Sequence, residues 1–158
     1  MHTTLQPAAG TQHETASPKK LERLAIVVRD DAFDRLLTPL AFAYEMGNRG
    51  IEVDLLFVLW ASRVLTREGV QQVDIDARYA DRKAWLMGRL AHFNEPQDIH
   101  GFIQAAHSTG HVRFHACKLA AATFQVREQD LLPEAQGIIN PAEFLSDIAM
   151  RADHCQYF

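Results

Sequence analysis

Cys117 stands where an apolar stretch changes into an alanine-rich one, in the sequence VRFHACKLAAA that begins at Val112. This change predicts the end of a strand and the start of a helix. Backbone N–H groups at a helix start carry partial positive charge, which favours the thiolate, and the thiolate is the nucleophilic form of cysteine. Lys118 adds a cation beside it. The position also fits a small packing residue, since free cysteine is among the most buried residue types.

Three further residues are candidates for shaping a pocket around this thiol or tuning it. Arg29 could stabilise an anionic sulfur species, Trp60 could form a wall, and His115 precedes Cys117 by two positions, on the same face of a strand. Each has a plainer interpretation. Arg29 fits a solvated surface charge, Trp60 fits the core, and His115 fits an ordinary hydrogen-bonded histidine.

The sequence gives little support for a metal or a cofactor. His107, His111 and His115 are close in sequence, but a strand does not bring them together with further ligands, and no paired Cys or His residues lie nearby. Cys155 is far from Cys117 in sequence and reads as a packing thiol. Phosphate-binding glycine loops and a G-x-S-x-G nucleophile elbow are also missing. We therefore expect no metal and no cofactor.

Composition narrows the class of protein. The chain has 158 residues, 16 basic and 20 acidic side chains, and a formal net charge of −4 without a basic stripe, so nucleic acid is not an expected partner. The longest apolar run, residues 53–61, is too short to span a bilayer, and the first residues lack the layout of a secretory signal. These features predict a cytoplasmic protein with no membrane span.

Apolar runs separated by turn residues predict five strands that alternate with helices. The predicted strands are residues 24–28, 51–59, 111–116, 136–139 and 154–158. This order is typical of the α/β class: an open, doubly wound, mainly parallel five-stranded sheet with helices on both faces. Ligand sites of such sheets lie at the carboxyl ends of the strands, which is where Arg29, Trp60 and Cys117 fall. Residues 1–20 show no apolar period and predict a disordered tail before one domain, 21–158.

Two of the expected helices have notable ends. Apolar spacing predicts a helix over residues 33–46, with Asp30 or Asp31 as its cap. Pro39 falls inside it and should kink it or mark its true first turn. A helix led by the cysteine is expected over residues 117–126.

These features in this order resemble the DsrE family, in particular DsrE/DsrF-like and soluble DsrE-like sulfur carriers of sulfur oxidisers. The likeness covers about residues 22–158. It rests on four segments: LAIVVRDDAFDRLL, AYEMGNRGIEVDLLFVLW, GHVRFHACKLAAATFQV and LLPEAQGIINPAEFLSDIAMRADHCQYF. The resemblance implies a sulfurtransferase or sulfur carrier in which Cys117 holds sulfur as a persulfide or thiosulfonate. It further implies small sulfur compounds as donors, a TusA-like or other sulfur carrier protein as partner, and a homo-oligomer, a trimer or a multiple of one.

Two departures from the family pattern bear on this expectation. Ala120 stands where many relatives have serine, and Phe124-Gln125 replaces their Met-Gly, which removes a hydroxyl contact to bound sulfur. The segment 67–90 is charged, whereas membrane-linked relatives are Met-rich there. Two alternatives to the carrier remain: a non-catalytic oligomeric binding subunit, in which Cys117 only packs, and a thiol redox sensor that forms a sulfenate or a disulfide with Cys155.

Overall fold

The computed structural model describes residues 20–158, and these contain a five-stranded, all-parallel sheet. The predicted tail lies almost wholly outside the described residues. The strands are β1 (Arg23–Val28), β2 (Glu52–Phe57), β3 (Val112–Cys117), β4 (Ala135–Ile139) and β5 (His154–Tyr157), in the spatial order β4-β3-β2-β1-β5. The expected α/β fold is confirmed, and the five predicted strands are all present within two residues of their expected ends.

The helices are α1 (Phe33–Asn48), α2 (Lys83–His92), α3 (Ile99–Ser108), α4 (Lys118–Phe124) and the single turn α5 (Pro141–Glu143). Short 3-10 helices occupy Leu59–Leu65, Gly69–Gln72, Ala77–Arg82, Glu128–Asp130 and Ala149–Arg151, and Phe144–Ile148 forms a π-helix. The apolar spacing of residues 76–93 predicts one long helix, but the structure divides this segment into a 3-10 turn and α2.

Different elements pack on the two faces of the sheet. Side chains such as Ile26, Leu55 and Phe114 face α1 and α3 and form the larger hydrophobic cluster. The alternate residues of the same strands face the other way, because successive side chains on a strand point to opposite faces. That second face holds a smaller cluster around Cys117 and Phe144, and we call it the cysteine face.

Residues 140–153 cross the cysteine face. The chain leaves the sheet at β4, on one edge, and returns at β5, on the opposite edge, so this crossing segment spans the sheet. Asn140 caps its first turn by accepting a hydrogen bond from the Ala142 N–H, at 2.9 Å. Phe144 is fully buried, whereas most of the segment is exposed or half-buried.

The expected cap of α1 is wrong, and so is one of the two alternatives for Pro39. The helix begins at Phe33 after Ala32, without a side-chain cap, because Asp30 pairs with Arg35 instead (3.5 Å). Pro39 lies well inside α1 and does not start it. The proline is buried, so packing against the sheet offsets the loss of one helical hydrogen bond.

Candidate functional site

Cys117 is the last residue of β3 and the residue immediately before α4. Its backbone is extended, with φ −68° and ψ 126°, which is the conformation of a helix N-cap residue. It pairs with Ile139 of β4 at the carboxyl edge of the sheet. The predicted strand-to-helix junction therefore falls where the sequence indicated.

The thiol is nevertheless shielded from solvent. Cys117 is 5% exposed and packs in the cluster with Leu56, Ala120 and Phe144. A reactive thiol must be reached by its substrate, and the sequence predicts a solvent-accessible pocket at Cys117; that prediction is wrong for this conformation. The physical reason is the crossing segment, because it lays Phe144 against the face on which Cys117 lies.

The predicted companions of Cys117 do not all gather around it. Lys118 follows it in sequence and is exposed. Trp60 lies after β2, the neighbouring strand, and its ring is 4.8 Å from the ring of Phe124 on α4. Arg29 follows β1, two strands away, which is a lateral separation of about 10 Å between strands. Trp60 thus packs on the helix that Cys117 leads, whereas Arg29 lies further along the edge.

His115 is turned away from the thiol. Its Nε2 lies 2.8 Å from Oδ1 of Asp54. In the β2–β3 register Asp54 pairs with Arg113, two residues before His115, so the imidazole leans toward the amino ends of the strands. Within residues 20–158 no hydrogen bond joins His115 to Cys117.

Exposed apolar side chains surround the edge at Cys117. Leu59, Trp60 and Leu119 are 50%, 56% and 68% exposed, and they come from the two segments that follow β2 and β3. Leu59 has a positive φ of 48°, an uncommon conformation for a branched side chain. We call these three residues the apolar rim.

A row of hydrogen-bonded charged side chains on the cysteine face was not predicted from the sequence. Arg113 donates from Nε and Nη2 to the two carboxylate oxygens of Asp54, at 2.8 and 2.7 Å, and from Nη1 to Glu52. His111 Nδ1 also contacts Glu52, at 2.7 Å, and His115 completes the row at Asp54. We call these five residues the ion ladder.

Hydrogen bonds keep the acidic members of the ladder ionised. Burial alone would raise the pKa of Asp54, but hydrogen bonds from Arg113 and His115 outweigh it and lower that pKa to about 2. His111 and then Arg113 lower the pKa of Glu52 in the same way. The alternation in EVDLL and HVRFH was the available signal, since it sets acidic residues on one strand beside basic residues on the next.

Cys155 lies far from Cys117 on the same face. It pairs with Ala25 of β1, and from there the register runs through Asp54 to Arg113, four residues before Cys117. Three strand spacings and four residues of rise give a Cα–Cα separation of about 20 Å. A disulfide requires less than about 7 Å, so the disulfide form of the redox-sensor alternative is wrong for this fold. Burial raises the pKa of the Cys155 thiol, which makes it less reactive.

Two further properties concern the described part of the chain as a whole. Across residues 20–158, no three His, Cys, Asp or Glu side chains are grouped so that they could hold a metal ion. None of the helices in this range combines the length and apolar character needed to cross a membrane.

Comparison with known proteins identifies the fold and no family. The protein of unknown function MTH1491 from Methanobacterium thermoautotrophicum has a similar structure, with a TM-score of 0.52 and 14% sequence identity. The match covers 85% of this chain and 97% of that one. At this identity the likeness shows the shared fold alone. No protein-family model matches the sequence, and no curated protein matches it.

Proposed function

We propose that this protein is a cytoplasmic sulfur carrier of the DsrE kind, which holds sulfane sulfur on Cys117 and passes it to a thiol of a partner protein. The observation that carries the proposal is the position of Cys117 between a parallel strand and a helix, at the carboxyl edge of the sheet. This edge is where α/β sheets place their chemistry, and N–H groups at a helix start favour a thiolate.

The transfer needs only one cysteine and no external electron source. The Cys117 thiolate attacks a sulfane sulfur, an S–S bond forms, and the donor's bond breaks with its electron pair on the leaving group, such as sulfite from thiosulfate. A partner thiolate then attacks the outer sulfur of the persulfide. That step releases the Cys117 thiolate and forms a persulfide on the partner.

Loading requires Cys117 to become accessible. The reason is that the thiolate must line up with the bond of the sulfur donor that it breaks, and the donor must therefore reach the thiolate directly. The crossing segment is the element that would move. Apolar packing holds it to the sheet through one fully buried side chain, Phe144, and through half-buried Ile148 and Ala149. Hydrogen bonds of Asp153 with the backbone at Arg23 fix its far end, so the part near Phe144 is the part that would open. Its alternation of α, π and 3-10 turns is the irregularity that often accompanies functional helical segments.

The apolar rim supports a protein as the acceptor. Leu59, Trp60 and Leu119 are at least half exposed and follow the ends of β2 and β3, the strand that carries Cys117, so they offer apolar surface to a protein that approaches this edge. A TusA-like carrier or a second copy of this chain in a homo-oligomer would cover them. Substituting Leu119 by lysine is expected to weaken that contact without altering loading by small sulfur compounds.

Mass spectrometry of the intact protein tests the carrier function. After incubation with thiosulfate, tetrathionate or polysulfide, we expect an added mass that is reversed by dithiothreitol and maps to Cys117. Cys155→Ser serves as the matched control and should load like the wild type. An adduct that is equally abundant in Cys117→Ser, or that is missing with all three donors, rules the carrier out.

A non-catalytic binding subunit is the second candidate, and the burial of Cys117 favours it. A thiol that is 5% exposed in an apolar cluster has the surroundings of a packing residue. The two candidates differ in the rate of native-state alkylation. A packing thiol reacts only as fast as the whole protein unfolds, whereas a carrier thiol reacts faster because local opening of the crossing segment is enough.

A further inference from the structure

An apolar groove opens on the face of the sheet opposite to the cysteine face. It lies on the outer side of α1 and α3, which pack beside each other near Phe33 and Phe102, with ring centroids 6.5 Å apart. The end of α2 and the turn after it, within residues 90–96, form its third side. Its volume is about 530 Å³, within the range of small-molecule sites. Neither Cys117 nor the crossing segment lines this groove, so the sulfur-carrier proposal makes no use of it.

Apolar residues form most of the lining of the groove. Seven of its ten lining residues are apolar or aromatic. Leu37, Leu90 and Phe102 among them are half-buried and pack against the larger hydrophobic cluster, which holds the walls in place. Ala41 on α1 and Ala105 on α3 are small, so they leave room between the walls. A lining that is mostly apolar and carries few polar groups is typical of a site for a small molecule with an apolar body.

The turn at the end of α2 is a Schellman motif that includes a glutamate of the groove. The Glu95 N–H donates to the carbonyl of Leu90, at 3.0 Å, and the Asn94 N–H donates to the carbonyl of Ala91, at 3.1 Å. Asn94 adopts the left-handed conformation of this motif, with φ 58°. The residue at the position of Glu95 often makes an apolar contact with the last turn of the helix. Here that position holds a glutamate, and Glu95 and Leu90 both line the groove, so the turn fixes a charged residue at the edge of an apolar surface.

The charged residues that line the groove are both acidic. In the described chain, Glu45 and Glu95 are the charged members of the lining, and they give it a formal charge of −2. Both are exposed, and within residues 20–158 neither carboxylate takes part in a hydrogen bond or an ion pair. Arg89 of α2 does not line the groove, and its guanidinium lies over the ring of Phe93, 5.0 Å from the centroid. Two unpaired carboxylates favour a cation over an anion at this place.

We propose that the groove between α1, α3 and the end of α2 binds a small amine with an apolar body. The hydrocarbon part lies against Leu37, Leu90 and Phe102, and the ammonium group lies at the rim that carries Glu45 and Glu95. The charge selects an amine over an alcohol or an acid of the same shape, and the apolar walls select it over a small hydrophilic cation. The amine site does not depend on the sulfur-carrier function, because the groove and Cys117 belong to clusters on opposite faces of the sheet.

Hexylamine, hexanol and hexanoate test the proposal, because they have the same chain length and differ in charge. At neutral pH we expect hexylamine to shift the methyl resonances of Leu37 and Leu90 saturably in NMR spectra of the wild-type protein. Hexanol should do so more weakly, and hexanoate should have no saturable effect. The methyl resonances of Leu145, which is exposed on the crossing segment, are the internal control and should show no saturable shift. If hexanoate binds as well as hexylamine does, or if hexylamine leaves the Leu37 and Leu90 methyl groups unmoved, the proposal is overturned.

Substitutions of the two glutamates test the charge contact. Glu45→Gln and Glu95→Gln should each weaken hexylamine binding by roughly threefold, the value of one exposed ion pair, and should leave hexanol binding unchanged. Glu143→Gln is the matched control, since it removes an exposed carboxylate of the crossing segment, and it should change neither affinity. Cys117→Ser should also bind hexylamine normally, which separates this test from that of sulfur loading. Unchanged hexylamine affinity in the variant that lacks both groove carboxylates would refute the assigned contact.

A substitution that narrows the groove tests the location of the apolar body. Ala41 is exposed, so Ala41→Leu adds volume to the groove without entering the core, and it should weaken binding of hexylamine and hexanol by about tenfold or more. Thr38→Leu is the matched control, because Thr38 is an exposed residue of α1 that does not line the groove, and it should leave both affinities unchanged. Normal hexylamine binding in Ala41→Leu would place the ligand elsewhere and overturn the proposal.

Discussion

Asp54 is the residue on which the polar part of the cysteine face depends. It is 8% exposed, and its two oxygens receive bonds from Arg113 and His115. Removing a carboxylate from water is costly, and the guanidinium and the imidazole offset that cost only while both are in place. Loss of Asp54 would leave the Arg113 charge half-paired and free the imidazole to turn.

Asp54→Asn is therefore expected to lower the free energy of unfolding by about 3 kcal/mol at neutral pH, since it breaks one partner of a mostly buried ion pair. Urea unfolding followed by circular dichroism measures this. The control is Asp81→Asn, whose carboxylate pairs with Arg82 at the surface and should contribute less than about 1 kcal/mol. Equal effects of the two substitutions would contradict a structural role for the ladder.

The effect of Asp54→Asn should also depend on pH. The pKa of Asp54 is about 2 in the folded protein, below its ordinary value of 3.8. A carboxylate with a lowered pKa stabilises the fold above its unfolded pKa, and this stabilisation is lost as the pH falls through the folded value. The difference in stability between wild type and variant should be full at pH 6 and shrink steadily between about pH 4 and pH 2. A difference that stays constant over this range would argue against an ionised, paired Asp54.

The crossing segment is the element that would have to move for Cys117 to act as the proposed carrier thiol. Most elements on the opposite face are anchored by several buried side chains, whereas this one has a single fully buried residue, Phe144. Elements with few buried contacts open at lower free energy than the global fold. The proposed carrier function therefore predicts that opening of this segment limits the rate at which the thiol reacts.

Phe144→Ala should increase the rate at which iodoacetamide labels Cys117 in the native protein, by roughly tenfold or more, because it removes both the cover and the anchor. The substitution should also cost about 3–5 kcal/mol of stability, as for other large-to-small changes in a core. Labelling is best followed by mass spectrometry in a Cys155→Ser background, so that only one thiol reacts.

Leu145→Ala is the matched control for that experiment, since Leu145 lies beside Phe144 in sequence but is exposed. It should leave the labelling rate near that of the wild type. Comparison of labelling with the unfolding rate of each variant separates local opening from general destabilisation. If Phe144→Ala labels no faster than it unfolds, Cys117 is a packing residue and the segment is not its cover.

At the scale of the whole molecule, local sequence patterns predict the strands of the sheet well, but they do not predict which segment packs over the cysteine face. Apolar runs and turn residues locate all five strands, and alternation assigns Cys117 and His115 to one face. The burial of Cys117 could not be predicted, because its apolar cluster is completed by Phe144 of the crossing segment, which lies much further along the chain. The start of α1 at residue 33 was predicted correctly, but its cap was not: Ala32 takes the cap position without a side-chain hydrogen bond, and Asp30 pairs with Arg35.

The distance between the two cysteines gives a prediction about oxidation of the intact protein. Cys117 and Cys155 lie about 20 Å apart, across three strand spacings. Cys155 is on β5 and Cys117 on β3, and β1 and β2 lie between them in one continuous parallel sheet. The two thiols therefore cannot meet unless the sheet unfolds. Peroxide treatment of the native monomer should therefore give no intramolecular disulfide between them. Non-reducing peptide mass mapping checks this, and a sulfenate trapped by dimedone on Cys117 is the oxidised form expected once the crossing segment opens. The same treatment in urea, where the chain is free, should form the disulfide and serves as the positive control. A Cys117–Cys155 disulfide formed under native conditions would require a different strand order, and would contradict the parallel sheet on which every contact above depends.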